Sequence, residues 1–557
     1  MAFQISPGVI TSELDQTTVV PSVLTTAGAI AGTFAWGPTD KITLIDNEIN
    51  LVKTFGKPDA NSATTFFTAA SFLAYGNNLS VVRAVKNTSY NASADGQVQV
   101  GNSDVFELSY LNGDNSNEFG AFIARFPGTL GNSLTVDVCA NTDTFGTWTH
   151  KSLFTSAPGT SDYVSAAGGM EDEMHVVVID AGGKFTGVAG TVLETFGFVS
   201  KAVDATTNGV TNYYKQVIFN NSKYVYAIDP VDYTNSVSTW GEASDTSFYT
   251  PATIITTTLS GGTDAVATSL NGAYELFSNK DVVDVSLILT AGAALATQQR
   301  AVEIATSRAD CIAFISPPSS AVVNQAGSES TNITTWLATL SRPSTYAVAD
   351  SGWKYMFDKY NNVYRWVPLN GDIAGLCVFT DAVRDPWFSP AGFNRGAIKN
   401  CIKLAWNPSK TYRDVLYAVG INPVVSFPGQ GTVLYGDKTL QSKPSAFDRI
   451  NVRRLFITLE KAIAQAAQFS MFELNDEFTR AQFVALVTPF LRDIQGRRGI
   501  TDFKVVCDST NNTGQVIDSN QFVGDIYIKP ARSVNFIQLN FVAVNTGVDF
   551  TTVVGVA

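Results

Sequence analysis

Val282-Val283-Asp284-Val285-Ser286-Leu287-Ile288-Leu289 reads as a strand, Ala293 to Arg308 as a helix, and Cys311-Ile312-Ala313-Phe314-Ile315 as a second strand. Ser316-Pro317-Pro318 stops that second strand. A strand–helix–strand order argues for a parallel crossover, because a tight turn cannot join parallel strands and an intervening helix can. Tyr346 to Val348, Ile373 to Phe379 and Val415 to Val419 continue the alternation, with glycine and proline at the joints. An α/β domain is therefore expected from about residue 271 to 445.

Downstream, Leu455, Leu459, Ile463 and Ala466 recur every three or four residues and predict an amphipathic helix. A second helix is predicted from Asn475, read as its N-cap, with Asp476 and Glu477 in the electropositive first turn. It buries Phe483, Val487, Leu491 and Ile494, takes a kink at Pro489, and has Gly496 as candidate C-cap. Strands are predicted at Phe503 to Cys507, Val523 to Lys529 and Val534 to Asn545, with a strand-like tail at Val548 to Val554.

Upstream, residues 88–270 are rich in Thr, Ser, Asn, Gly and Asp, with strand-like runs at Val105 to Tyr110, His175 to Ile179 and Tyr224 to Ile228. That texture predicts a solvent-facing, β-rich insertion of one or two modules. Before it, residues 23–87 end in the apolar run Leu79 to Val85. Residues 1–22 read as an extended arm, with Val9, Thr11 and Glu13 alternating against Ile10, Ser12 and Leu14 and no hairpin partner nearby. Both ends of the chain thus carry orphan strands.

The 557 residues are 45% hydrophobic and 15% charged, enough for several cored domains and too apolar for a disordered chain. The net charge of −12 argues against binding phosphate backbones by bulk electrostatics. Residues 1–350 carry 15 basic and 32 acidic side chains, residues 351–557 carry 22 and 17, so an acidic partner should meet the C-terminal part. Five widely spaced cysteines without a C-x-x-C pair fit buried thiols in a reducing cytosol better than disulfides or zinc. No secretory leader and no run long and apolar enough to span a membrane is read.

The chain carries few residue patterns that point to chemistry. No dinucleotide, P-loop, zincin or nucleophile-elbow motif occurs. The two histidines, His150 and His175, have no nucleophile context, and Glu171, Asp172 and Glu173 read as solvated loop acids. Asp114 to Glu118 only superficially resembles a calcium loop, its glycine falling at 120. Phe427 to Gly431 reads as a turn rather than a phosphate cradle. No catalytic residue, cofactor or metal site is expected. Arg449, Arg453, Arg454 and Lys461 cluster on or beside the first C-terminal helix and read either as a solvated face or as a docking face for an acidic partner.

Several separate blocks resemble contractile tail sheath proteins, in particular those of T4-like myophages. These are Ser6-Pro7-Gly8-Val9 with Glu13 and Asp15; Ala31 to Phe34 and Trp36-Gly37-Pro38; Phe55-Gly56; Val81 to Val85; Asp358 to Asn361 with Arg365 to Gly375; Asp385 to Gly392; and Asn451 to Phe456. The insertion does not carry the resemblance. The resemblance implies an α+β multidomain chain: an N-terminal arm at 1–22, an α/β core, subtilisin-like in fold, at 23–87 with 271–445, an outward-facing insertion at 88–270, and an inner domain with a C-terminal arm at 446–557. It implies a non-catalytic subunit of stacked hexameric rings, with the tail tube, baseplate and tail terminator proteins as partners and no nucleic-acid or membrane contact. On this reading Val9, Ile10, Thr11, Leu14, Ile537, Leu539, Phe541, Val548 and Phe550 are intersubunit arm residues, and Arg453, Arg454 and Lys461 dock the tube. The rival readings are a β-rich virion surface or adhesin protein, suggested by the insertion, and a hydrolase, suggested by the α/β core.

Overall fold

The strand and helix rhythm around residues 282–315 resolves into one seven-stranded sheet. The computed structural model describes residues 23–111, 119–228, 239–264, 267, 269–535 and 537–538. In chain order the first elements are β1 (Gly28–Gly32), β2 (Thr43–Ile45), α1 (Glu48–Phe55), α2 (Ala63–Leu73) and β3 (Leu79–Arg83). The insertion follows with β4 (Leu134–Cys139), β5 (Glu173–Asp180), β6 (Thr191–Ser200) and β7 (Ile255–Thr258). The chain then returns through β8 (Leu287–Leu289), α3 (Leu295–Arg308), β9 (Ile312–Ile315), α4 (Glu329–Leu340) and β10 (Ala347–Asp350). A hairpin, β11 (Trp353–Asp358) and β12 (Val363–Pro368), leads to α5 (Asn370–Val383), β13 (Lys403–Leu404), α6 (Lys410–Ala418) and β14 (Ile421–Asn422). A second hairpin, β15 (Val424–Phe427) and β16 (Gly431–Leu434), precedes α7 (Ile450–Ala467), α8 (Glu477–Gly496), β17 (Ile500–Val506) and β18 (Asp525–Pro530).

The sheet order is β14-β10-β9-β8-β1-β3-β2, parallel except for β2 on one edge. Counted along the chain, the six parallel strands lie in the order 2-1-3-4-5-6, the doubly wound arrangement whose direction of winding reverses at β1. Alternate residues feed two cores. Ile30, Val81, Leu289 and Phe314 pack with Phe66 and Phe67 of α2 and Ile373 and Leu376 of α5. Ala29, Val82, Ile288 and Ala313 pack with α3, with Ile333 and Trp336 of α4, and with Leu416 of α6. Burial on both faces explains why these strands read as unbroken apolar runs.

Two glycines let α5 lie close to the end of α2. A Cβ at Gly371 would stand 2.4 Å from the Thr68 carbonyl oxygen, and one at Gly375 would stand 2.4 Å from the Tyr75 ring.

The insertion is β-rich around an antiparallel sheet, β7-β4-β5-β6, with Leu134, Val136, Val176 and Val178 in its core. The strand expected at Val105 to Tyr110 is instead a helical turn, Ser103–Phe106, continued as a wider turn to Leu111. Asn102 caps it by accepting from the Asp104 and Val105 amides, and only Phe106 of the helical turn is buried. Ile373 to Phe379 lies inside α5, whose near-complete burial erases the amphipathic stripe that marks a surface helix. β8 is shorter than the apolar run that contains it, because a turn built on Asn279 holds residues 279–283 and leaves Val282 exposed.

The chain divides into two compact units between Phe469 and Ser470. The helix predicted from Leu455 is α7, which clusters with the residues before it. In the second unit α8 buries Phe483, Val487, Leu491 and Ile494 as expected, while β17 and β18 form an antiparallel pair. The N-cap of α8 is Asp476, not Asn475, since its carboxylate accepts from the Thr479 amide at 2.8 Å. Gly496 is the last helical residue and Arg497 follows as the cap.

Candidate functional site

Open α/β sheets place ligands at the carboxyl ends of their parallel strands. In this chain those ends carry Thr290 after β8, Ser316 after β9 and Asp350 at the end of β10, with Asn370 at the start of α5. All four are at most 1% exposed. The Ser316 hydroxyl donates to Asp350 Oδ2 at 2.6 Å, and the Gly352 amide donates to Oδ1 at 2.8 Å. Asn370 Nδ2 donates to Ser316 Oγ and to the Ala291 carbonyl, both at 2.8 Å, while its Oδ1 accepts from the Ala291 amide. Burial pushes the Asp350 carboxyl up to about 8 against those two hydrogen bonds, and the charge of Asp372 adds to the rise. Lys354 and Asp372 form a buried ion pair at 2.8 Å, and burial raises the Asp372 carboxyl against the pull of the lysine. These polar side chains tie one strand end to the next, with Asp372 Oδ2 left buried without a hydrogen-bond partner. The arrangement fixes loops and offers no approach to a substrate.

The other candidates are equally committed. His175 on β5 is buried, stacked on Phe154 with ring centroids 4.1 Å apart. The Phe198 amide donates to its Nδ1 at 3.1 Å, so its Nε2 carries the proton facing the Ser156 carbonyl at 2.9 Å. Burial lowers its pKa, consistent with a neutral ring. Glu171, Asp172 and Glu173 are not a catalytic pair. Asp172 is buried and accepts from Ser161 and Ser200, whereas Glu171 faces solvent. Phe427 to Gly431 is the turn between β15 and β16. Asp114 to Glu118 lies outside the described residues. Among the described residues no group of His, Cys, Asp and Glu could hold a metal ion. Burial pushes the Cys311 thiol up to about 12 and the Cys377 thiol up to about 11, far from the reactive thiolate range.

The two arginines of the basic cluster on α7 do not face solvent. Arg453 and Arg454 are each 4% exposed, so neither the solvated-face nor the docking-face reading holds for them. Arg454 grips Asp381 with two bonds, at 2.7 and 2.6 Å, and its guanidinium also reaches the Cys377 and Thr25 carbonyls. Arg453 lies between the rings of Tyr346 and Phe447, 4.4 and 4.6 Å from their centroids, and meets Glu460. Lys461 pairs with Asp284 beside β8. These charges bind α7 to the core. Sequence spacing put them together but could not tell an inward face from an outward one.

Of the expected arm residues, Val9, Ile10, Thr11, Leu14, Leu539, Phe541, Val548 and Phe550 lie outside the described residues. Ile537 is 78% exposed and belongs to no strand. Among the described residues β17 and β18 pair only with each other, leaving both sheet edges open.

One surface escaped the sequence reading. The β11–β12 hairpin pairs Tyr355 with Trp366 and Phe357 with Tyr364, which puts four rings on one face. Tyr355 stacks on Tyr364 at 5.5 Å and meets Trp366 at 4.6 Å, with Lys403 of β13 over both Tyr355 and Trp366. Phe357 and Tyr364 are 42% and 55% exposed. The period-2 aromatics flanking Asp358 to Asn362 were a usable signal for this face.

The geometry therefore describes a chain with a sealed interior and open apolar and backbone surfaces. Comparison with known proteins identifies the class. Residues 25–84 match the tail sheath protein Gp18 domain III N-terminal region, residues 281–440 the phage tail sheath protein central domain, and residues 442–543 the phage tail sheath C-terminal domain. The chain belongs to the phage tail sheath protein family. It is 34% identical to the tail sheath protein of Vibrio phage KVP40, covering 99% of this chain and 100% of that one. It is 33% identical to the tail sheath protein of Enterobacteria phage T4, covering 99% of each. In structure it resembles the sheath tail protein of Desulfitobacterium hafniense, with a TM-score of 0.53 at 11% identity over 90% of this chain and 94% of that one. The contracted helical sheath of the anti-feeding prophage gives 0.52 at 12% identity over 97% and 99%. The protein is a structural component of a contractile phage tail and not an enzyme.

Proposed function

We propose that this chain forms stacked hexameric rings around a tail tube and contracts to drive that tube through the host envelope for genome delivery. What carries the reading is the collinear, full-length match to tail sheath proteins at 33–34% identity. In this reading its partners are further copies of itself, the tail tube, and the baseplate and tail terminator proteins. It assembles in the host cytoplasm and touches neither nucleic acid nor membrane. The core is the α/β sheet around β1, the counterpart of the subtilisin-like domain that the resemblance implies. The insertion at 88–270 faces outward, and the C-terminal domain at 446–557 faces inward.

Arms spanning about residues 1–18 and 534–554 add strands to the C-terminal sheets of neighbouring copies. Two observations support this: among the described residues no further strand pairs with β17 or β18, and an exposed Ile537 precedes a strand-patterned stretch of sequence. Each inserted strand contributes several backbone hydrogen bonds, at about 0.5–1.5 kcal/mol net apiece. Contraction is a repacking of near-rigid bodies between two lattices, so it needs no nucleotide. Tube docking cannot rest on Arg453 and Arg454, which are consumed inside the core.

A variant lacking residues 1–18 tests the strand exchange. It should fold, with a wild-type far-ultraviolet spectrum, and yet form no cylinders in electron micrographs. Normal cylinders from that variant would reject the arm mechanism.

A further inference from the structure

The charge asymmetry of the chain is sharper than a division into halves. Residues 351–469 carry 15 basic and eight acidic side chains, whereas residues 470–557 carry seven and nine. The positive excess of residues 351–557 therefore lies in the last part of the core unit, before residue 470. Within it, residues 386–436 hold Arg395, Lys399, Lys403, Lys410 and Arg413 against the single acid Asp414.

This segment adjoins the aromatic face of the β11–β12 hairpin through β13, whose Lys403 lies on that face. It also contains a second ring cluster, Phe393, Phe427 and Tyr435, with Arg413 set 5.7 Å from both the Phe427 and Tyr435 centroids. Among the described residues, Lys399, Lys403 and Arg413 pair with no carboxylate; their contacts are to rings and carbonyl oxygens. An exposed aromatic surface with cations lacking counter-charges is complementary to something acidic and partly apolar.

The chain itself carries such a surface. Residues 88–270 hold 19 acidic and six basic side chains. Several of those acids gather at one end of the insertion. The segments 161–172, 200–205 and 242–248 are tied together by the Lys201–Asp172, Val203–Glu242 and Met170–Thr246 backbone bonds and by the small core Val164, Ala202, Ala205 and Phe248. That end exposes Asp162, Glu171, Asp204 and Glu242, with Met170 and Val203 beside them as exposed apolar groups.

We infer that the aromatic, basic face around Tyr364 and Lys403 receives the acidic end of the insertion from a second copy of this chain. The inference rests on the self-assembling sheath reading and adds to it a specific pair of surfaces. The rings supply desolvated contact area, and the charges select the partner and its orientation. It also gives the insertion, which the family resemblance left without a role, a place in the lattice.

The test is a charge swap in the full-length chain, read as the lowest protein concentration that yields cylinders by sedimentation and electron microscopy. Lys403→Glu with Arg413→Glu should leave the far-ultraviolet spectrum unchanged and raise that concentration about tenfold. Adding Glu171→Lys and Asp204→Lys to the same chain should restore assembly, as a coupled pair of surfaces requires. Unimpaired assembly by the first variant, or a loss that the second pair does not rescue, overturns the inference while wild-type cylinders keep the sheath reading standing. A wild-type chain that makes no cylinders removes both.

Discussion

The carboxyl end of the parallel sheet and the β11–β12 hairpin face are built on opposite plans. At the sheet, Ser316, Asp350, Asn370, Lys354 and Asp372 are polar or charged and sealed. On the hairpin, Phe357 and Tyr364 are large, aromatic and open to water. A substrate-binding α/β protein would reverse this, keeping polar groups accessible at the strand ends and covering its rings. Here buried polar chemistry is used to hold loops in register, and apolar surface is left for contact with other molecules. That inversion is what a structural subunit requires, and each part of it can be broken separately.

The largest effect is expected from the interior. Lys354→Met leaves the Asp372 carboxylate buried without its counter-ion and should cost about 3–5 kcal/mol, read from denaturant melts. A smaller loss would mean that Asp372 takes up a proton in the folded chain. Next comes packing: Gly371→Ala places a methyl against the Thr68 carbonyl and should cost about 1–3 kcal/mol by forcing α5 away from α2.

A third effect is a pH slope. The Asp350 carboxyl, pushed up to about 8 by burial, stays protonated in the folded chain while the unfolded chain ionises near 4. Folding then takes up a proton between those values, so this group makes stability fall as pH rises from about 4 to about 8. Asp350→Asn cannot ionise and should gain on the wild type by up to about 1.4 kcal/mol for each pH unit in melts taken between pH 5 and pH 8. A parallel response of the two proteins would show that Asp350 is ionised in the folded state.

The smallest effect on stability belongs to the open face. Phe357→Ser with Tyr364→Ser should cost no more than about 1 kcal/mol, since both rings are half-exposed and touch chiefly each other and Tyr355. The same pair should nevertheless impair cylinder formation. A large stability loss without an assembly defect would make the hairpin face part of the fold rather than an interface.

The sequence was legible where one period ruled. The β8–α3–β9 crossover and the apolar stripe of α8 could be read because strand runs and helical spacing each have a single burial explanation. The helix at 373–379 hid because burial on nearly all sides removes the stripe. The turn at 103–111 hid because an Asn cap overrode apolar alternation. The function followed from separate motif blocks in order, not from any site. The fate of Arg453 and Arg454 was illegible for a physical reason: a charge's partner, Asp381 for Arg454, lies far away in the chain, and only the tertiary fold says whether an arginine on an amphipathic helix looks inward. The aromatic hairpin face was readable from Tyr355, Phe357, Tyr364 and Trp366, yet alternation alone does not say which face of a hairpin water sees.

The most direct measurement is electron microscopy of the purified full-length chain as its concentration is raised. The account predicts striated hollow cylinders with sixfold end views, formed without added nucleotide or metal. Dispersed single particles at every concentration, from protein shown by its melt to be folded, would contradict it.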